Sequence, residues 1–299
     1  MEFKHLTLRA LLLLEILLLN PISCLDSCDF PAIFNFGDSN SDTGGLSAAF
    51  GQAPPPHGET FFNAPAGRLL IDLIAERLGL PHLSAFLDSI GSNFSHGANF
   101  ATAGSTIRPQ NTTISRVGSF QNLLPEEGYF SRALYTFDIG QNDLTAGYKL
   151  NLSTEQVKAY VPDVLDQFSR VIKLLYAQGG RSFWIHNTGP VGCLPYVLDR
   201  FSVTAAQIDK YGFENPFLVC CGHGGKYNYN RFVKCGSKRV VNGTEIVLAK
   251  SCKDPSVRIS WDGTHFTEAA NRWIFDQIVD GSFSDPPVSL KFACNRMNS

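Results

Sequence analysis

Charge of one sign is what this chain has least of: 25 Lys and Arg stand against 27 Asp and Glu, leaving a formal −2 over 299 residues. The basic residues are scattered rather than striped, so the broad positive field that binds nucleic acid is missing and no polyanionic partner is expected. Long apolar runs are missing as well. Ala10 to Leu19 is interrupted by Glu15 and is too short for a stable membrane span. There is no internal repeat, low-complexity tract or interdomain linker, and Ala53-Pro54-Pro55-Pro56-His57-Gly58 is a stiff surface loop. No stretch combines low hydrophobicity with high charge, so with 44% hydrophobic and 17% charged residues the chain can bury one substantial core.

What is present begins with a leader. Lys4 and Arg9 precede the apolar stretch, which meets small residues near Ser23 and Cys24, so residues 1–24 are expected to be a signal peptide and 25–299 a single domain. Sequons at Asn93, Asn111, Asn151 and Asn242 fit passage through a glycosylating compartment. Cleavage after Cys24 leaves Cys28, Cys193, Cys220, Cys221, Cys235, Cys252 and Cys294. Disulfides are expected among these, with one thiol left over and the pairing not readable from spacing. A zinc site at Cys220, Cys221 and His223 is the competing use, disfavoured because adjacent cysteines seldom both ligate one tetrahedral ion. No metal or cofactor is expected.

Ala32 to Phe36, Leu134 to Ile139 and Ser182 to His186 are short β-favouring runs. Between and after them, helix spacing recurs at Leu69, Leu70, Leu73, Ile74 and Leu78, then at Val161, Val164, Leu165, Phe168, Ile172 and Leu175. Thr267 is placed to cap a last helix with Ala270, Trp273, Ile274 and Ile278 on one side. Alternating strands and helices predict an α/β fold with a parallel sheet, helices on both faces and functional residues at the carboxyl ends of strands. Ser39, Gly140 and Asn142 fall just there.

A serine hydroxyl is a poor nucleophile until an imidazole takes its proton, and the imidazole works best when a carboxylate fixes its tautomer. Trp261-Asp262-Gly263-Thr264-His265 offers that pair compactly, and Gly37-Asp38-Ser39 offers the hydroxyl on a strand-to-helix turn. In Gly140-Gln141-Asn142-Asp143, a side-chain amide just after a strand can donate to a developing oxyanion. Each motif alone is ordinary turn chemistry; the three together are not. His57, His82, His96, His186 and His223 have no carboxylate at comparable spacing, and Glu126-Glu127 are too close in sequence to flank one glycosidic bond. The G-x-S-x-G elbow is absent too, since Gly45-Leu46-Ser47-Ala48-Ala49 lacks the final glycine.

The run Phe34-Asn35-Phe36-Gly37-Asp38-Ser39-Asn40-Ser41-Asp42-Thr43-Gly44-Gly45 resembles the first block of the plant GDSL esterase/lipases, a branch of the SGNH hydrolases. Asn99 to Gly104 is similar to the second block, Ile139 to Asp143 to the third, and Asp262 to His265 to the last, in the family's order and spacing. The wording at His57 to Arg68 and Asn215 to Tyr229 is closest to the early-nodulin-like subgroup. The resemblance implies a flavodoxin-like three-layer sandwich, a small-molecule ester as substrate and secretion to the apoplast or cell wall. It assigns Ser39 as nucleophile, His265 as base and Asp262 as its partner. The oxyanion hole falls to the Ser39 and Gly104 N–H groups and the Asn142 amide, with Gly97 as the second choice of glycine.

In one respect the chain departs from that family. Relatives of the subgroup carry several tens of residues, with a helix and the last strand of the sheet, between a segment like Ile208 to Gly212 and one like Phe213 to Pro216; here the two abut. An edge strand, its helix and a partner for the odd cysteine are then expected to be missing. The rival expectation is therefore a secreted relative, catalytically impaired by that loss, which acts by binding or has no independent role.

Overall fold

The computed structural model describes residues 27–50, 67–88, 92–108, 127–201 and 213–294. Four short strands, β1 (Ile33–Gly37), β2 (Gly97–Asn99), β3 (Leu134–Asp138) and β4 (Ser182–Ile185), run parallel in the order β2-β1-β3-β4. Successive side chains of a strand face opposite sides. Leu134 accordingly joins Ile33, Leu73, Ile74 and Phe275 on one face, whereas Tyr135 and Phe137 join Phe34, with Phe168 and Ile172 packed against them, on the other. A sheet apolar on both faces needs helices on both.

The helices are α1 (Gly45–Phe50), α2 (Leu70–Leu78), α3 (Glu127–Arg132), α4 (Gln141–Lys149), α5 (Thr154–Ala177), α6 (Pro195–Phe201) and α7 (Glu268–Ile278). α2 and α7 cover the first face and α5 the second. α5 starts seven residues before the apolar stripe that predicts it, because Ser153 and Gln156 form a reciprocal capping box that sets its start. Thr267 caps α7 as expected, accepting from the Ala270 N–H at 3.2 Å. Its buried side differs from the expectation: Phe275 is buried and Trp273 is 37% exposed.

Elements outside the expected set are α1, β2, α3, α4, α6 and an antiparallel hairpin of β5 (Lys238–Val241) and β6 (Thr244–Val247). The hairpin turns at Asn242-Gly243, with φ of 50° and 78°, the left-handed pair that a two-residue loop requires.

Among the described residues β4 is the outer strand of the sheet, and Ile185 on it is 48% exposed. Among the described residues the disulfides are Cys28–Cys294, Cys220–Cys252 and Cys221–Cys235, and the remaining thiol is the exposed Cys193. Because Cys220 and Cys221 each belong to a disulfide, the zinc alternative falls. No described helix is long and apolar enough to cross a membrane, and the leader expected at 1–24 lies outside the described residues.

Cys28–Cys294 ties together positions 266 residues apart. Replacing both with serine should lower stability by about 2–4 kcal/mol, read as a lower midpoint in denaturant without loss of the native fold.

Candidate active site

β1 runs out at Gly37, and the Asp38-Ser39-Asn40-Ser41 turn follows, closed by the Ser41 N–H on the Asp38 carbonyl at 3.2 Å. Beneath the turn lies a buried polar ladder across three strands. Thr136 Oγ1 donates to Asn35 Oδ1 at 2.7 Å, and Asn35 Nδ2 donates to Asn99 Oδ1 at 2.7 Å. Asn99 Nδ2 in turn donates to the Ser41 carbonyl at 2.6 Å and to Thr43 Oγ1 at 2.8 Å. Satisfied and buried, this chain anchors the loop that carries Ser39 to the middle of the sheet.

The opposite partner comes from the segment before α7. Asp262 Oδ1 accepts the Thr264 and His265 N–H groups at 2.9 Å each, so the carboxylate folds its own loop. Gly263 sits at φ 96°, where a Cβ would come within 2.4 Å of the Tyr229 ring, and so only glycine fits this turn. The other carboxylate oxygen, Asp262 Oδ2, lies 2.7 Å from His265 Nδ1, and His265 Nε2 lies 2.7 Å from Ser39 Oγ.

Burial pushes Asp262 up, but the His265 charge and hydrogen bonds from His265 and Thr264 outweigh it and hold the carboxyl well below the usual range. For His265, burial favours the neutral ring, while Asp262, and more weakly Asp38, favour the charged one; the net direction is upward. Asp38 is 1% exposed, and burial raises it against two hydrogen bonds from Asn40. On the adjoining strand, burial and then the Asp38 charge push Asp138 up to about 7. The imidazole therefore feels two carboxyl groups, Asp262 and Asp38, of which Asp262 alone is held well below the usual range.

Between the two loops stands Gln141, at the start of α4. Its Oε1 accepts from Asn40 Nδ2 at 3.3 Å and its Nε2 donates to the Thr264 carbonyl at 3.2 Å. Beside it, the Asn142 amide donates to the Ser105 carbonyl at 3.0 Å. Gly104 occupies the third position of a turn closed by the Ser105 N–H on the Thr102 carbonyl at 3.0 Å, and its φ of 85° is what that position of a type II turn demands. Gly97, the second-choice glycine, lies within β2 and commits its N–H to the Phe94 carbonyl at 3.0 Å. The structure thus brings Ser39, Asp262, His265, Asn142 and the Gly104 turn to one rim of the sheet. Gln141 was missed although it belongs to the motif that identified Asn142.

The other histidines serve elsewhere. His82 lies 3.2 Å from Glu76, His96 bonds the Pro31 carbonyl at 3.0 Å, His223 is exposed, and burial pushes His186 down to about 4. His57 lies outside the described residues, as does Asn111, while Asn93, Asn151 and Asn242 are exposed. Among the described residues, no group of three or more His, Cys, Asp or Glu side chains is arranged to hold a metal ion.

Residues 33–207 match the family described as GDSL-like Lipase/Acylhydrolase. The chain is similar to a GDSL esterase/lipase of Arabidopsis thaliana, 53% identical over 381 residues that take in 99% of this chain and 100% of the relative. It is also similar to alpha-L-fucosidase 3 of Arabidopsis thaliana, 47% identical over 93% of this chain and 95% of the relative. The GDSL esterase/lipase ENOD8 of Medicago truncatula is 42% identical over 98% and 97% of the two chains. The first alignment spans 381 positions whereas the chain has 299 residues, so at least 82 positions hold residues of the relative alone. That excess is of the order of the several tens of residues expected to be missing at Gly212-Phe213, and the family match stops at residue 207, next to that junction.

A raised His265 and a requirement for its neutral ring together place the acidic limb of kcat/KM above the ordinary histidine value of about 6.5. Asp262→Asn removes the partner that raises it, so the limb should move to lower pH while kcat falls about 10⁴-fold, because the ring no longer keeps the useful tautomer. A pH–rate profile of both proteins checks the shift and its sign.

Proposed function

This chain belongs to the GDSL-like Lipase/Acylhydrolase family and is a carboxylic-ester hydrolase, and on that footing we propose that it is secreted and works through an acyl-Ser39 intermediate. The substrates are acylated small molecules, acetylated sugars or lipids. Ser39 Oγ attacks the ester carbonyl as His265 Nε2 takes its proton, and Asp262 holds the resulting imidazolium. The developing oxyanion is met by the Ser39 and Gly104 N–H groups and by the Asn142 amide. Collapse expels the alcohol, which receives the proton from His265. A water molecule then repeats the sequence on the acyl group and frees Ser39.

The observation that carries this reading is the continuous line from Asp262 Oδ2 through the His265 ring to Ser39 Oγ, with 2.7 Å at each joint. The same distances favour the active enzyme over a silent relative, because a triad displaced by the missing segment would not keep both joints at proton-transfer range. Secretion is supported by the leader composition of residues 1–24, the disulfides and the exposed sequons; the apoplast or cell wall is the proposed destination.

Purified, glycosylated protein should hydrolyse p-nitrophenyl acetate or butyrate, with Ser39→Ala lowering kcat by about 10⁴–10⁶-fold. Equal rates for the two proteins would refute the mechanism. Sugar released from an aryl fucoside by the Ser39→Ala protein would favour a glycosidase instead, the activity in the name of the relative alpha-L-fucosidase 3.

A further inference from the structure

Two carboxylates beside the site bond neither to Ser39 nor to His265, yet each reaches from its own motif to the segment 103–108. Asp42 lies three residues after Ser39. Its Oδ1 accepts the Gly44 and Gly45 N–H groups at 2.8 and 2.5 Å, which organises the start of α1. Its Oδ2 accepts the Leu46 N–H at 3.1 Å and, across to the second motif, the Ala103 N–H at 2.8 Å. Asp143 is buried next to Asn142. Its two oxygens are divided between successive N–H groups of the same distant loop, Oδ1 on Arg108 at 3.0 Å and Oδ2 on Ile107 at 2.9 Å.

The loop from Ala103 to Arg108 has no strand or helix of its own, so its shape depends on what accepts its N–H groups. It is held at one end by the segment that bears Ser39 and at the other by the segment that bears Asn142. Between the two holds lies the Ser105 carbonyl, the acceptor for one N–H of the Asn142 amide, which fixes the direction of the second. The chemistry asks for carboxylates. An amide at position 143 would turn its NH₂ toward one of two N–H donors, and an amide at 42 would do the same to half of a four-donor set.

We propose that Asp42 and Asp143 are positioning residues that clamp the 103–108 loop and, through the Ser105 carbonyl, aim the Asn142 amide at the oxyanion. The proposal rests on the ester-hydrolase reading of Ser39. Neither carboxylate touches the reacting atoms; each acts by keeping a donor where charge develops, and a misplacement of about 1 Å there is enough to slow the reaction severely.

The test uses the full secreted chain as wild type, Asp143→Asn, Asp143→Glu, Asp42→Asn and Ser39→Ala. A fluorophosphonate probe counts active serines, and p-nitrophenyl butyrate hydrolysis is referred to that count. In both Asn variants kcat per labelled serine should fall about ten- to a hundredfold with KM within about twofold, and an alkyl boronic acid, whose tetrahedral adduct uses the same donors, should bind more weakly by a similar factor. The midpoint of the acidic limb should stay where it is in wild type, because His265 and Asp262 are untouched, and Asp143→Glu should recover part of the rate. Wild-type kcat in the Asn variants, or a loss accounted for wholly by fewer labelled serines, overturns the clamp. Should Asp143→Asn fail to fold, Asp42→Asn and Asp143→Glu carry the same comparison. A wild-type chain that labels no better than Ser39→Ala sinks the ester-hydrolase reading itself, an outcome distinct from failure of the clamp alone.

Discussion

Everything in this molecule that bears on chemistry depends on one contact between residues 226 positions apart, the 2.7 Å approach of His265 Nε2 to Ser39 Oγ. The sheet brings the two ends together. β1 lies in its interior and delivers Ser39 at its carboxyl end, while α7, packed on the same sheet through Phe275, holds the Asp262–His265 turn above it. Neither end could be held by its own loop alone: the Ser39 turn hangs on the Thr136–Asn35–Asn99 ladder, and the His265 turn on Asp262 and the Gln141 bridge. Cys28–Cys294 joins the start of the described chain to its far end at the margin of this frame, where the first core cluster also gathers Phe30 and Leu290.

The electrostatics follow from the same geometry. Asp38, Asp138, Asp262 and His265 are each shifted by burial set against neighbouring charges and hydrogen bonds. Asp262 accepts two backbone N–H groups and the imidazole and stays ionised. Asp138 has burial and a like charge and is driven toward neutrality. Burial thus acts on both carboxyls in the same direction, and the one kept below the usual range is the one whose hydrogen bonds include the ring.

Local words were the legible part of the sequence. Ser39, Asn142 and the Asp262–His265 pair each sit in a motif of a few residues whose chemistry can be argued from spacing, and β1, β3, β4, α2, α5 and α7 announce themselves through apolar periodicity. What stayed hidden is non-local or short. β2 has three residues, Gly97-Ala98-Asn99, too few to show a period, and its membership depends on pairing with β1. Asn35, Asn99 and Thr136 read as polar interruptions until the strands place them side by side. Disulfide pairing followed no spacing rule, since adjacent Cys220 and Cys221 part toward Cys252 and Cys235. The hairpin of β5 and β6 is a different case: Asn242-Gly243 carried its turn signal openly, between two runs rich in valine and isoleucine. The abutment at Gly212-Phe213 is legible in the sequence alone; among the described residues β4 is an outer strand with Ile185 half in solvent, and Cys193 is the thiol outside the disulfides. An open edge of this kind invites pairing with another chain.

If Ser39 is an activated nucleophile, it forms a covalent adduct that can be located on the chain. Wild-type protein treated with a fluorophosphonate and digested should carry the phosphonyl mass on the peptide that contains Ser39, with the labelling rate rising with pH as His265 loses its proton. An unmodified Ser39 peptide, or equal labelling of Ser39 and of the exposed serines elsewhere in the chain, would show that Ser39 is not activated.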